Sequence, residues 1–282
     1  YLGEFGDIAR FLARPPADAL ALVDEFERRF AAYVGVRNGI ATCTGRWGLE
    51  LILRHLRLPA RAEVIVPAYT LADLLQVIAA AGLRPVAADI DRRTFNIDPA
   101  DVERRITPRT AAILGTHIFG APCDLDALLD IARRKGLEVI EDCAHAAGAS
   151  YRGRRVGTFG RAAFFSFEVI KPLSAFGGGM VVTHDDALAR RIRREVAALP
   201  NSRSALPVKV LLALADEALL RSPAFGPAVR LLADPSTRRL MTGLYWLLHG
   251  STRPRRSRFA PLQALLGLRQ LPRLDARNAA RR

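Results

Sequence analysis

AEVIVPAYTLADLLQVIAAAGLRPVAADI, residues 62–90, changes its apolar period and then changes it back. AEVIVP is a short apolar run rich in β-branched residues, which reads as a buried strand. LADLLQVIAAAG spaces its apolar residues helically and closes on Gly82, and RPVAADI returns to strand character. Upstream, DALALVDEFERRFAAYV (18–34) and RWGLELILRHLRL (46–58) read as helices on either side of the strand NGIATC (38–43). Downstream, RTAAILGTHIFG (109–120) is a strand running into a loop, DLDALLDIARRKG (124–136) a helix and LEVIEDCA (137–144) a strand. AAFFSFE (162–168) and GGMVVTHD (178–185) are two further strands, and DALARRIRREVAAL (186–199) is a helix. Strands alternating with helices of this length require an α/β fold with a largely parallel sheet covered on both faces. Ligands in such sheets gather at the carboxyl ends of the strands.

The chain has 282 residues, 50% hydrophobic and 25% charged, with a net charge of +14. So large a positive charge suits anionic partners such as phosphates, nucleotides or acidic lipids. Arginine is scattered over most of the helices, however, and most of the excess reads as solvated surface. Nucleic acid is not an expected partner, because the basic residues are not interleaved with stacking aromatics. Three cysteines at 43, 123 and 143, an odd count without paired spacing, point to a reducing, cytoplasmic setting. With His117 and His145 they lack the close pairs of a zinc site. Residues 201–258 change character to short apolar helical stretches broken by Pro and Gly, with basic residues in excess. None of those stretches reaches the roughly 18 apolar residues of a membrane span. The chain opens on Tyr1 and stops at NAARR in helical character, as expected of a piece of a longer protein.

Three strand ends carry groups able to do chemistry. Glu141 and Asp142 close one strand and His145 follows; Asp142 is either a helix cap or a buried carboxylate facing a cationic nitrogen. Ser166 and Lys171 span the end of a second strand, in FFSFEVIKPLSAFGGGM (164–180). Burial there would lower the lysine pKa and make its amine a nucleophile toward an aldehyde. After a third strand the turn Thr44-Gly45-Arg46-Trp47 opens a helix, where backbone N–H groups and the helix dipole suit a phosphate. Arg46 opposes that dipole unless an anion accompanies it. Lysine, carboxylate and phosphate cradle together are what pyridoxal phosphate requires.

At these residues the chain resembles the DegT/DnrJ/StrS sugar aminotransferases, among the fold-type I pyridoxal phosphate enzymes. The likeness runs through AEVIVPAYTLADLLQVIAAAGLRPVAADIDRRTFNIDP (62–99), through residues 106–186 almost position by position, and through PLQALLGLRQLPRLDARNAARR (261–282). It implies a three-layer sandwich around a mostly parallel mixed sheet. Residues 1–200 would form the cofactor-binding large domain and 201–258 a basic, apolar helical insert. Residues 259–282 would begin the helix leading to a truncated C-terminal small domain. The resemblance further implies that Lys171 holds the cofactor and moves protons. Asp142 would pair with the pyridine nitrogen, His145 would lie by the ring, and Ser166 with Gly45, Arg46 and Trp47 would grip the phosphate. Leu71 stands where the family often has an aromatic over the ring, Arg46 where it has threonine, and Arg256 near its cross-dimer asparagine.

The implied reaction moves an amino group from an amino acid, glutamate, to a keto-sugar nucleotide in a homodimer. The alternative is a catalytically silent relative with a regulatory or scaffolding role. Peripheral contact of residues 201–258 with an anionic membrane surface is compatible with either.

Overall fold

The computed structural model describes residues 5–201 and 256–280, with isolated positions between them. The chain divides into two units, residues 1–201 with 257–282, and residues 202–256. The helical insert expected at 201–258 lies mostly outside the described residues, and the elements of the sheet and its covering helices all belong to the first unit.

Helices α1 (Phe5–Ala13) and α2 (Ala21–Val34) precede β1 (Asn38–Thr42) and α3 (Gly45–His55). Then come β2 (Glu63–Pro67), α4 (Ala72–Ala80), β3 (Arg84–Ala88), α5 (Pro99–Arg105) and β4 (Thr110–Thr116). A 3-10 turn, Ile118–Gly120, leads to α6 (Leu125–Lys135) and β5 (Glu138–Asp142). A small hairpin, β6 (Ser150–Tyr151) and β7 (Arg154–Arg155), precedes β8 (Ala162–Ser166), β9 (Gly179–Thr183) and α7 (Asp186–Ala197). After residue 256 come α8 (Pro261–Gln270), a 3-10 turn at Leu271–Arg273 and α9 (Leu274–Ala279). Pro272 lies in that second 3-10 turn, which tightens the chain between two helices.

The caps obey local chemistry. The side chains of Thr44, Asp98, Asp124 and Asp185 each accept a backbone N–H in the first turn of the helix they open. Gly35 and Gly136 end α2 and α6 in the left-handed conformation. Helix α5 is an addition to the elements expected from the periodicity, although Asp98 followed by Pro99 is a helix-start signal. DIDRRTFNID reads in sequence as a strand end and turn. The structure places that turn at Asp91, whose Oδ1 accepts the N–H groups of Arg93 and Thr94, both at 2.9 Å.

The seven-stranded sheet runs β1-β9-β8-β5-β4-β2-β3. From β8 to β3 every neighbour is parallel, and β9 is antiparallel to both β8 and β1. Alternate strand residues point to opposite faces. Val64, Val66, Ala112, Leu114, Ile140, Phe164 and Val181 pack with Leu49 and Ile52 of α3, Ile78 of α4 and Ile192 of α7. On the opposite face Phe165 meets Phe30 of α2 at 5.0 Å, and Gly115 lies against Leu128 of α6. Three layers result, as the pattern requires. Each fully buried Phe or Ile contributes about 1.5–3 kcal/mol on leaving water.

Because β9 doubles back on β8, residues 167–178 form a loop at the carboxyl end of β8. Its base is fixed by Phe167, whose N–H donates to Gly178 O at 3.0 Å and whose O accepts from Ala175 and Gly177. Gly178 has φ +92°, and a Cβ there would lie 2.2 Å from the Phe259 ring, so no other residue fits. Phe259 in turn stacks on Phe26 of α2 at 5.8 Å.

Candidate active site

The alternation of β5 separates its two terminal carboxylates. Asp142 shares the face of Ile140, and Glu141 takes the other. Thr116 is the register partner of Asp142 on β4 and therefore points the same way. Ser166 shares that face at the end of β8, where the opening of α3 comes in. A Cβ on Gly45 would stand 3.0 Å from Phe165 O and 3.2 Å from Ser166 Cβ, and one on Gly179 would stand 2.6 Å from Gly45 N. Glycine at 45 and 179 lets the helix end sit directly on Ser166. The chain's ordering of turn, carboxylate and lysine thus converges at one end of the sheet.

Asp142 is 5% exposed, and its Oδ1 accepts the Ala144 N–H at 3.0 Å. Burial pushes its pKa up, while the Ala144 N–H and Lys171 hold it back. The hydroxyl of Thr116 stands near enough to ease that rise slightly, yet it is buried without a well-formed hydrogen bond among the described residues. Lys171 comes after a turn closed by its own N–H on Glu168 O at 3.0 Å. It is half-buried, and burial lowers its pKa against the opposing charges of Asp142 and Glu168. His145 is half-buried too and is pushed down, first by burial and then by Lys171. Its Nδ1 accepts the Phe119 N–H at 3.4 Å, and its ring stacks on Phe119 at 6.2 Å. Lys171 therefore lies within electrostatic reach of both Asp142 and His145.

Other expected positions land differently. The Arg46 guanidinium pairs with Asp73 in the first turn of α4, so a carboxylate of this chain offsets the conflict with the α3 dipole. Trp47 is buried in the core, its main-chain N–H taken by Thr44 Oγ1 at 3.0 Å and its indole N–H buried without a partner among the described residues. Leu71 stands at the start of α4 and is 57% exposed.

Two features had no counterpart in the sequence pattern. The first is an exposed aromatic rim in which Tyr69, Phe95 and Phe119 lie 5.9–6.5 Å apart and continue into His145. The second lies on the other face of β5. Glu141 is fully buried and accepts N–H groups from Gly157 at 2.7 Å, Phe159 at 2.8 Å and Gly160 at 2.7 Å. His117, also fully buried, meets it through Nε2 at 3.2 Å, while Nδ1 accepts the Cys123 N–H at 3.2 Å. That acceptor role puts the His117 proton on Nε2, which donates to Glu141. His117, Glu141 and Cys143 lie within 4.8 Å of one another, the spacing of a metal cluster. The ring nitrogens of His117 and both oxygens of Glu141 are already committed to hydrogen bonds, so the cluster is structural.

A mixed sheet in this order, with a lysine on the β8–β9 loop within electrostatic reach of a carboxylate at the end of β5, defines the large domain of a fold-type I pyridoxal phosphate enzyme. The sequence profile of the DegT/DnrJ/EryC1/StrS aminotransferase family matches residues 20–211, and the chain belongs to that family. GDP-perosamine synthase of Caulobacter vibrioides is 44% identical over 186 residues, which are 65% of this chain and 50% of that protein. DesV of S. venezuelae, solved with a ketimine intermediate, superimposes with TM-score 0.71 at 32% identity, over 98% of this chain and 62% of that one. DesI, solved with its TDP-sugar product, gives TM-score 0.66 at 31% identity, over 95% and 58%. The chain thus spans half of the curated relative's length and about three-fifths of these solved chains. Among the described residues no helix is long and apolar enough to cross a membrane.

Proposed function

We propose that this chain is the cofactor-binding part of a pyridoxal-phosphate-dependent aminotransferase. It would transfer the amino group of an amino acid, glutamate, to a keto-sugar nucleotide, working as a cytoplasmic homodimer. One observation carries the reading: a half-buried Lys171 whose pKa is lowered beside the buried carboxylate of Asp142. The residues present fit the cofactor. The Thr116 hydroxyl, without a well-formed hydrogen bond among the described residues, and the buried Asp142 carboxylate mark a place for a further polar group, and glycine at 45 and 179 seats a helix N-terminus on Ser166.

When bound, pyridoxal phosphate supplies an aldehyde for an amine and a ring that withdraws electrons. The chain supplies the rest. Lys171, more readily deprotonated than a lysine in water, would offer its Nζ to the aldehyde and would there accept and return a proton. Asp142 holds a proton on the ring nitrogen, where carboxylate and pyridinium compensate each other out of water. His145, made less basic by burial, orients the ring through its imidazole. Ser166 and the turn from Thr44 to Trp47 hold the phosphate. The sugar-nucleotide acceptor is supported by the names of the relatives, a GDP-sugar enzyme and one solved with a TDP-sugar.

The test is amine transfer by full-length protein incubated with pyridoxal phosphate, glutamate and a panel of nucleotide-linked keto sugars. Appearance of 2-oxoglutarate with an amino sugar of matching mass is expected; its absence with every sugar would leave the silent-relative reading. That second reading draws on Arg46 in the phosphate turn.

Arg46 allows a sharper prediction. Its guanidinium is engaged by Asp73, and both side chains are partly exposed to water, so the pair carries little energy. Arg46→Thr is expected to change the pyridoxal phosphate dissociation constant by less than about threefold, and stability by under ~0.5 kcal/mol. Weakening by about tenfold or more would mean that the guanidinium grips the phosphate itself.

A further inference from the structure

The loop that carries Lys171 is held from a distance of about a hundred residues along the chain. Gln270, at the last turn of α8, is only 1% exposed. Its Oε1 accepts the Ser174 N–H at 3.0 Å, and its Nε2 donates to Ser174 O at 2.5 Å. A primary amide thus pairs with both main-chain groups of one residue, as a neighbouring strand would. Ser174 lies three positions after Lys171 and is fully buried. The amide orientation is dictated, because the main chain of Ser174 offers one donor and one acceptor. Arg277 of α9 donates to the same Oε1 at 3.1 Å and fixes the amide from behind.

Further contacts from the same segment grip the same region. Gln263 Nε2 donates to Ala175 O at 3.3 Å, and Phe259 fills the space over Gly178. Asn278 Nδ2 donates to Ala147 O at 2.8 Å, in the loop that continues from Asp142 and carries His145. Between these anchors Phe176 is held at φ 55°, a conformation that disfavours a bulky residue and persists only where its surroundings enforce it.

We propose that Gln270 is a positioning residue for Lys171, its amide clamp on Ser174 fixing the loop so that the lysine amine stays half-buried. The proposal rests on the reading of Lys171 as the reactive amine. Without the clamp, a buried N–H and C=O lose their partners and the loop must open to water to satisfy them. The lysine then gains solvent, and the desolvation that lowers its pKa relaxes.

Two readouts on the full-length chain, stripped of cofactor, test this. One is hydrogen exchange of residues 172–178. The other is the pH profile of acetylation at Lys171, resolved by mass spectrometry. In Gln270→Leu the loop amides are expected to exchange about tenfold faster while β4 and β5 stay protected. The Lys171 profile should move upward, toward that of an exposed lysine. Gln270→Glu keeps the acceptor for Ser174 N–H and loses the donor, so it should give a smaller change of the same sign in both readouts. It decides the matter should the leucine variant not fold. Loop exchange and lysine profile both unchanged would overturn the proposal. So would a loosened loop with an unmoved lysine, since the clamp would then be structural only. A wild-type chain that binds no pyridoxal phosphate would defeat the functional reading alone, because neither readout uses the cofactor.

Discussion

Lys171→Met removes the visible absorbance of lysine-bound cofactor from the full-length protein and lowers amine transfer by at least about a thousandfold, while the cofactor-free chain melts no lower than wild type. The two halves of that result share one cause. Burial at the β8–β9 loop disfavours the ammonium, with Asp142 and Glu168 pulling the other way, and the net shift is downward. A group whose folded pKa lies below its unfolded one binds fewer protons when folded. Such a lysine therefore costs stability below its unfolded pKa, and the cost fades as pH rises through that value. Methionine fills similar space without a charge, so the cost disappears together with the nucleophile. Activity and stability should separate at this one position, as expected where a site holds a group against its solvation preference. Cofactor absorbance retained in the methionine variant would remove Lys171 from the chemistry. A variant that melts well below wild type would mean the amine makes a contact the fold depends on.

Much of this arrangement was legible in the chain before any geometry. The alternation that opens at residue 62 announced the sheet, and FFSFEVIKPLSAFGGGM announced the loop, because both are local patterns of period and turn chemistry. What escaped was long-range. Nothing near Arg46 announces Asp73, 27 positions on, as its partner. Nothing in PLQALLGLRQ separates the buried Gln270 from an exposed glutamine, since its partner is Ser174. The aromatic rim joins residues 69, 95 and 119 through the ends of separate strands, which no single window contains. The helix at 99–105 escaped for a different reason. It is only seven residues long, too short for periodicity to register, and only its cap betrays it. Asp142 and Glu141 show the boundary most clearly. The strand pattern placed both at its end, but only the sheet assigns one to a site and the other to the frame.

That assignment gives the second large effect, in which two adjacent carboxylates respond oppositely. Glu141→Ala is expected to destabilise the chain by about 3–5 kcal/mol, the cost of breaking a buried charged network by deleting one partner. Burial alone would raise the Glu141 pKa. The hydrogen bond from His117 and the N–H groups of Gly160 and Gly157 outweigh it, and the folded value falls below the ordinary 4.5. A carboxyl depressed on folding contributes stability that is present above its unfolded pKa and is lost as pH falls through its folded value. Wild type should therefore lose stability on acidification below about pH 4.5 more steeply than Glu141→Gln, in which that titration is gone. Asp142 carries the reverse sign. Its folded pKa is raised, so its ionised form costs stability above the unfolded value, and Asp142→Asn should hold or raise the urea midpoint of the cofactor-free chain at neutral pH. Urea unfolding of the three variants across pH 3 to 7 reads all of this from the midpoints, with wild type as reference (roughly the range in which carboxylates titrate). Equal losses at 141 and 142 would show that the sheet does not divide the pair into frame and site. The division matters because the frame residue ties β5 to His117 and to the backbone at 157–160, and the end of that strand is where the site carboxylate must stand.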